Sequence, residues 1–192
     1  MAVLEIRLFG DPVLKQRSDP VTRFDAELVR FGDDLLETLR SAYGVGLAAP
    51  QVGVLKRMFA YDIPPDEETG EHPFGVLVNP VITRWEGEQD GEEGCLSLPG
   101  MSFNTVRALR VVATGMNMHG EPVQIEGSEL LARCVQHETD HLDGVLFIDR
   151  LDAAARKEAM KTIRQAEWYD AAAPPVVKVS PHGAADPFGL GR

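Results

Sequence analysis

The segment His137-Glu138-Thr139-Asp140-His141, as an α-helix, can present both imidazoles to one metal ion, because residues four apart then share a face. Leu130, Cys134, His137 and His141 continue that spacing, so both candidate ligands fall on the stripe facing a core, where apolar groups wall them in. The helix is predicted to start after Ser128, with Glu129 in its first turn, and to run to about Leu142 before Asp143-Gly144. Two histidines with ordinary hydrogen bonds are the plainer reading of five residues taken alone, so other segments have to decide.

A catalytic site of this kind has three protein ligands and a water. Downstream, Asp149, Asp152 and Glu158 offer carboxylates without the H-x-x-G-x-x-H continuation of a protease. Upstream, Cys95 lies in Glu93-Gly94-Cys95-Leu96-Ser97-Leu98-Pro99-Gly100, whose glycines and proline fit a thiolate on a tight, exposed backbone. A thiolate with two imidazoles suits Zn(II) or Fe(II), and Fe(II) so held is vulnerable to oxygen. The alternative is a cysteine acting as a small buried hydrophobe. A third segment, Gly44-Val45-Gly46-Leu47-Ala48-Ala49-Pro50-Gln51, matches G-x-G-x-x-A. It follows a predicted helix, and Pro50 disrupts a helix start, which excludes dinucleotide binding. The segment provides close backbone approach and one amide, Gln51, able to donate into a site; a structural turn with a surface glutamine is the alternative.

The 192 residues suggest one domain with appendages, against roughly 150 residues per domain. Thirty acidic and nineteen basic side chains give a net charge of -11, the wrong sign for gripping phosphate backbones, so specific DNA binding is not expected. Two cysteines are too few for a disulfide scaffold and fit a reducing compartment. The N-terminus has no apolar signal-like run and no stretch of about 18 apolar residues occurs, so the chain reads as cytoplasmic with no membrane partner.

An amphipathic helix is predicted over 25–43, with Asp25 as N-cap and Gly44 as its stop. Residues 57–63, 75–83 and 107–118 read as strands of a mostly antiparallel sheet, followed by a two-residue turn at His119-Gly120 and an edge strand over 121–126 carrying Pro122. A last helix is predicted over 152–169. Its Arg156, Lys157, Lys161 and Arg164 form a basic stripe, a solvated face or a contact for ribosomal RNA. From Asp170 an Ala/Pro/Gly-rich composition predicts a flexible tail over 170–192. His72 and His182, in polar segments beside prolines, are expected in solvent.

Taken together, GVGLAAPQ, EGCLS and QHETDHLDG, in this order and at these separations, resemble the peptide deformylase family. Phe9-Gly10-Asp11-Pro12-Val13-Leu14 and Leu130-Leu131-Ala132-Arg133 extend the resemblance, which covers residues 1–169 as a single catalytic domain. It implies an α+β fold, with mostly antiparallel sheets packed around a central metal-binding HExxH helix and with N-terminal and C-terminal helices. It also implies a divalent metal on Cys95, His137 and His141: Fe(II) in the cell, with Zn(II), Ni(II) or Co(II) as substitutes. Glu138, rotated about 100° from His137 on a helix, is then a general base that does not ligate. The Leu96 N–H and the Gln51 amide become oxyanion donors. The implied substrate is the N-formyl-methionyl end of a nascent peptide, extended beside Val45, Gly46 and Gly94, with Leu130 and Cys134 beside its methionine or simply in the core. Arg107 matches an arginine usual in the family, preceded here by Val106 where several members carry proline, and is expected to pair with Glu93 or Asp140. Rival readings are a zincin-like metallopeptidase, which leaves EGCLS and the Gly-Gln loop unexplained, and a catalytically inactive metal- or peptide-binding module.

Overall fold

The computed structural model describes residues 2–169. In chain order these form α1 (Ala26–Ser41), β1 (Gly46–Ala48), β2 (Met58–Asp62), β3 (Phe74–Glu86), β4 (Gln89–Gly94), β5 (Ser102–Arg107), β6 (Arg110–Met116), β7 (Pro122–Ser128), α2 (Glu129–Leu142) and α3 (Ala153–Gln165). One sheet has the order β1-β2-β3-β6-β7, and β4 and β5 form a two-stranded ribbon; every pair is antiparallel. The expected α+β class with antiparallel sheets is what forms. The segment 170–192, with His182, lies outside the described residues.

The Asp25 carboxylate caps α1 by accepting from the Glu27 and Leu28 N–H groups, each at 3.1 Å. Leu28, Leu35 and Leu39 are buried with Ile6, Leu8, Met58 and Val78, each such leucine contributing about 1.5–3 kcal/mol. The helix stops two residues short of the expected end. Tyr43, not Gly44, takes the left-handed conformation, with φ 53°. Gly44 is needed for proximity instead, since a Cβ there would lie 2.9 Å from both the Leu39 and the Leu96 side chains.

The single strand expected over 107–118 is broken into β5 and β6 at Ala108-Leu109. Side chains take over the backbone there. Gln136 accepts from the Ala108 N–H, Gln136 and Gln89 both donate to the Ala108 carbonyl, and the Leu109 carbonyl accepts from the Glu129 N–H. The turn after β6 spans Met118 to Gly120, closed by Asn117 N–H to Glu121 O, so it has three residues rather than two. Pro122 opens the edge strand β7, as expected. Strand β3 overruns its predicted end by three residues, and α3, capped by Asp152, ends four residues before Tyr169.

The predicted limits of α2 hold, but the Ser128 hydroxyl makes no capping hydrogen bond. The expected single buried stripe is too narrow: from Ala132 to Leu142 only Thr139 escapes full burial. One side of α2 packs with Phe59, Leu77, Val111, Ala113 and Ile125 of the large sheet, and the other faces the β4–β5 ribbon. Among the described residues no helix is long and apolar enough to cross a membrane.

Candidate metal centre and catalytic cleft

Helix α2 projects His137 and His141 toward Cys95, one residue beyond β4. The two Nε2 atoms are 3.2 Å apart, and Cys95 Sγ is 3.3 Å from His141 Nε2. All three ligand atoms lie within 4.8 Å of one another in a buried setting. A tetrahedral ion bound at about 2.0–2.3 Å to nitrogen and sulfur needs ligand-to-ligand edges of roughly 3.3–3.6 Å, so the donor set fits a divalent cation. Cys95 is only 4% exposed, which corrects the expectation of an exposed backbone: the loop turns inward because Cys95 packs with Leu98, Met101 and Phe147.

The orientation of His137 is set by Glu93. Its carboxylate, wholly buried, takes His137 Nδ1 at 2.7 Å, which leaves Nε2 to face the other ligands. Glu93 also accepts from Arg107 Nε at 3.0 Å and Nη2 at 2.5 Å and from Arg133 Nη1 at 2.8 Å. Burial alone would raise this carboxyl, but the hydrogen bonds and charges of Arg107 and His137 outweigh it and hold it well below the ordinary carboxylate range. Arg107 continues to Asp140 at 2.6 Å, and Asp140 accepts from Arg150 at 2.6 Å. Arg107 therefore pairs with both candidate acids. Burial of His141 and the neighbouring His137 keep the His141 imidazole neutral, the form a metal ligand requires.

A narrow cleft joins the three motif segments and is lined by Gly44, Gly46, Gln51, Gly94, Cys95, Leu96, His137 and Glu138. Burial pushes the Glu138 carboxyl up to about 7, and its Oε2 is buried without a partner among the described residues. Gln51 is buried rather than on the surface. Its Oε1 accepts from the Ala48 N–H at 2.8 Å, so Nε2 points toward Cys95 Sγ at 3.5 Å and Ser97 Oγ at 3.2 Å. The Leu96 N–H has no intramolecular partner among the described residues. Val45, Leu130 and Cys134 do not line this cleft. They form an adjoining apolar cluster with Ile63 and Tyr61, where the Cys134 thiol, kept protonated by burial, donates to the Val45 carbonyl at 3.3 Å. A larger groove, bordered by Trp85, Val106 and Arg150, meets none of the three candidate ligands.

Residues 3–157 match the family described as polypeptide deformylase. The chain belongs to that family. It is 56% identical to a peptide deformylase of Parafrankia sp. (strain EAN1pec) over the whole of both chains. It is 59% identical to that of Acidothermus cellulolyticus over 95% of this chain and 96% of the other. Among solved structures, the Legionella pneumophila peptide deformylase superposes with a TM-score of 0.78 at 40% identity, covering 85% of this chain and 95% of that one. An Ehrlichia chaffeensis peptide deformylase in complex with actinonin gives 0.80 at 34% identity, covering 87% and 99%. These likenesses favour neither the metallopeptidase nor the inactive binding module. Within this deformylase site, sequence reasoning missed Arg133, read only as part of a motif, together with Ser97 and Gly44. The clue to Arg133 was an arginine four residues before a ligand histidine on a helix whose other side is apolar. His72 is exposed, as expected, and contacts the Asp62 carboxylate at 2.6 Å; the α3 basic residues are also exposed, with Arg156 on Asp149 and Lys161 on Glu158.

Proposed function

We propose that this chain hydrolyses the formamide at the N-formyl-methionyl end of nascent polypeptides, releasing formate and a free amino terminus. The observation that carries the reading is the cleft in which a Cys-His-His donor set, a partnerless buried carboxylate oxygen of Glu138, the Leu96 N–H and the Gln51 amide converge. A divalent cation on Cys95, His137 and His141, Fe(II) in the cell with Zn(II), Ni(II) or Co(II) as substitutes, supplies Lewis acidity that makes a water nucleophilic near neutral pH and polarises the formyl carbonyl.

The chain's own groups do the rest. Glu138 accepts the proton of the attacking water and delivers it to the departing amine, a task suited to a carboxyl with a pKa near the working pH. The Leu96 N–H and Gln51 Nε2–H donate to the oxygen on which charge develops, each worth about 3 kcal/mol. Because Oε1 of Gln51 is already engaged by Ala48, its amide cannot turn an acceptor toward that oxygen. Strand β1 is an edge strand, so a peptide can add beside Val45 and Gly46 as a further strand, with Gly94 opposite and Leu130 and Cys134 beside the methionine side chain.

In this reading α2 is the metal-binding helix around which the sheets are arranged, and residues 1–169 make one catalytic domain to which 170–192 is appended. The enzyme works in the cytoplasm, where Arg156, Lys157, Lys161 and Arg164 are available for a transient ribosome contact. The test is formate release from a formyl-Met-Ala peptide by protein purified without oxygen, with metal content measured on the same sample. Formate release is expected from the formylated peptide, and no acetate release from its acetylated counterpart; no formate release from metal-loaded protein overturns the proposal.

A further inference from the structure

The Cys95–Gly100 loop carries both a candidate metal ligand and the Leu96 N–H, yet it belongs to no helix or strand. Its carbonyls are tied by groups distant in sequence: the Phe9 N–H donates to Ser97 O at 2.8 Å, and Trp168 Nε1 donates to Pro99 O at 3.3 Å. Both ties converge on the residues that follow α3. The Tyr169 ring stacks on Phe9 with centroids 6.4 Å apart and planes 30° apart, and Trp168 meets Tyr169 edge to face at 6.4 Å. Trp168 also packs against both core clusters, the one containing Cys95 and Leu98 and the one containing Leu96. These two aromatics lie beyond the residues matched by the family, 3–157, and none of the steps above uses them.

We propose that Trp168, braced by Tyr169, is a positioning residue: through Pro99 and Phe9 it holds the Cys95–Leu96 backbone at the distance the cation and the oxyanion require. The inference rests on the reading of Cys95 as a metal ligand and Leu96 as a donor. An indole N–H on a loop carbonyl, with the ring wedged between two clusters, restrains translation of the loop. A displacement of about 1 Å at such a site can cost about a hundredfold in rate. The Trp168 hydrogen bond falls on Pro99 of the loop and not on strand β1, beside which the proposed peptide adds, so the loss falls on kcat rather than KM.

The experiment uses the full chain loaded with Co(II) under nitrogen, comparing wild type, Trp168→Ala and Trp168→Phe, the last keeping an aromatic ring without the N–H. Three quantities are read: the thiolate-to-cobalt absorption band, the rate at which a chelator removes Co(II), and kcat and KM for a formyl-Met peptide. In Trp168→Ala the band is expected to weaken or shift, Co(II) loss to quicken about tenfold and kcat to fall about tenfold, with KM within about twofold. Trp168→Phe should fall between the two. If folded Trp168→Ala keeps the wild-type band, release rate and kcat, the proposal is overturned; should that variant not fold, Trp168→Phe decides by the same criteria. Wild type lacking the thiolate band overturns the ligand reading itself and, with it, the proposal.

Discussion

Gly46→Ala places a methyl group against the proposed proton-transfer group and leaves the candidate metal ligands in the sequence. A Cβ built on Gly46 lies 2.3 Å from Glu138 Oε1, 2.7 Å from Glu138 Cδ and 2.8 Å from Cys134 Sγ. Ordinary contacts begin at 3.4 Å, so the carboxylate has to retreat by about 1 Å. Glu138 is buried and Cys134 blocks one way out, so the shift moves the carboxylate off the position from which it reaches the water. A 1 Å misplacement corresponds to about a hundredfold in kcat, or about 2.7 kcal/mol of transition-state stabilisation. Crowding costs a further 1–3 kcal/mol or so of folding stability. The assay is kcat on a formyl-Met-Ala peptide, with metal content and urea unfolding on the same preparation. The expected result is metal still bound, kcat down about a hundredfold and a lower unfolding midpoint. A folded, metal-loaded variant with kcat within about threefold of wild type refutes the placement of Glu138 against β1.

Glu138→Gln keeps the shape and removes the base; kcat should fall about a thousandfold with metal retained, checked by formate release beside metal analysis. Gln51→Ala should lose about a hundredfold in kcat with little change in KM, as a single oxyanion donor predicts. Arg107→Met leaves Glu93 and Asp140 short of a buried partner and should destabilise the fold by about 3–5 kcal/mol in urea unfolding. Glu93 has a folded pKa held below its ordinary value of 4.5, so its stabilising contribution is present above that value and disappears as pH falls below it. Unfolding midpoints measured down the acid range should drop steeply in wild type and less steeply in Glu93→Gln.

The histidine spacing, the turn residues around Cys95 and the Val/Ile-rich runs are local signals, and they foretold α2, the candidate ligands Cys95, His137 and His141 that come together beside it, and most of the large sheet. Strand β4 was invisible because Gln89–Gly94 contains no β-branched or aromatic residue; it is extended because β5 pairs with it and two arginines hold Glu93. Strand β1 is only three residues, Gly46-Leu47-Ala48, whose pairing with β2 is purely tertiary. The break at Ala108 depends on Gln136 and Gln89, both remote in sequence. Arg133 shows the same limit within the site: its charge is legible, but its role follows only from Glu93 and the Thr105 carbonyl arriving beside it. Residues that act alone can be read from a sequence, whereas those that act through a partner wait for the fold.

The most direct test of the account is an anaerobic titration of metal-free protein with Fe(II), following formate release from a formyl-Met peptide in wild type and Cys95→Ser. Activity should rise linearly and break at one ion per chain in wild type, and Cys95→Ser should bind weakly and release little formate. Full activity without metal, or a Cys95→Ser variant that titrates like wild type, contradicts the Cys-His-His centre on which the account stands.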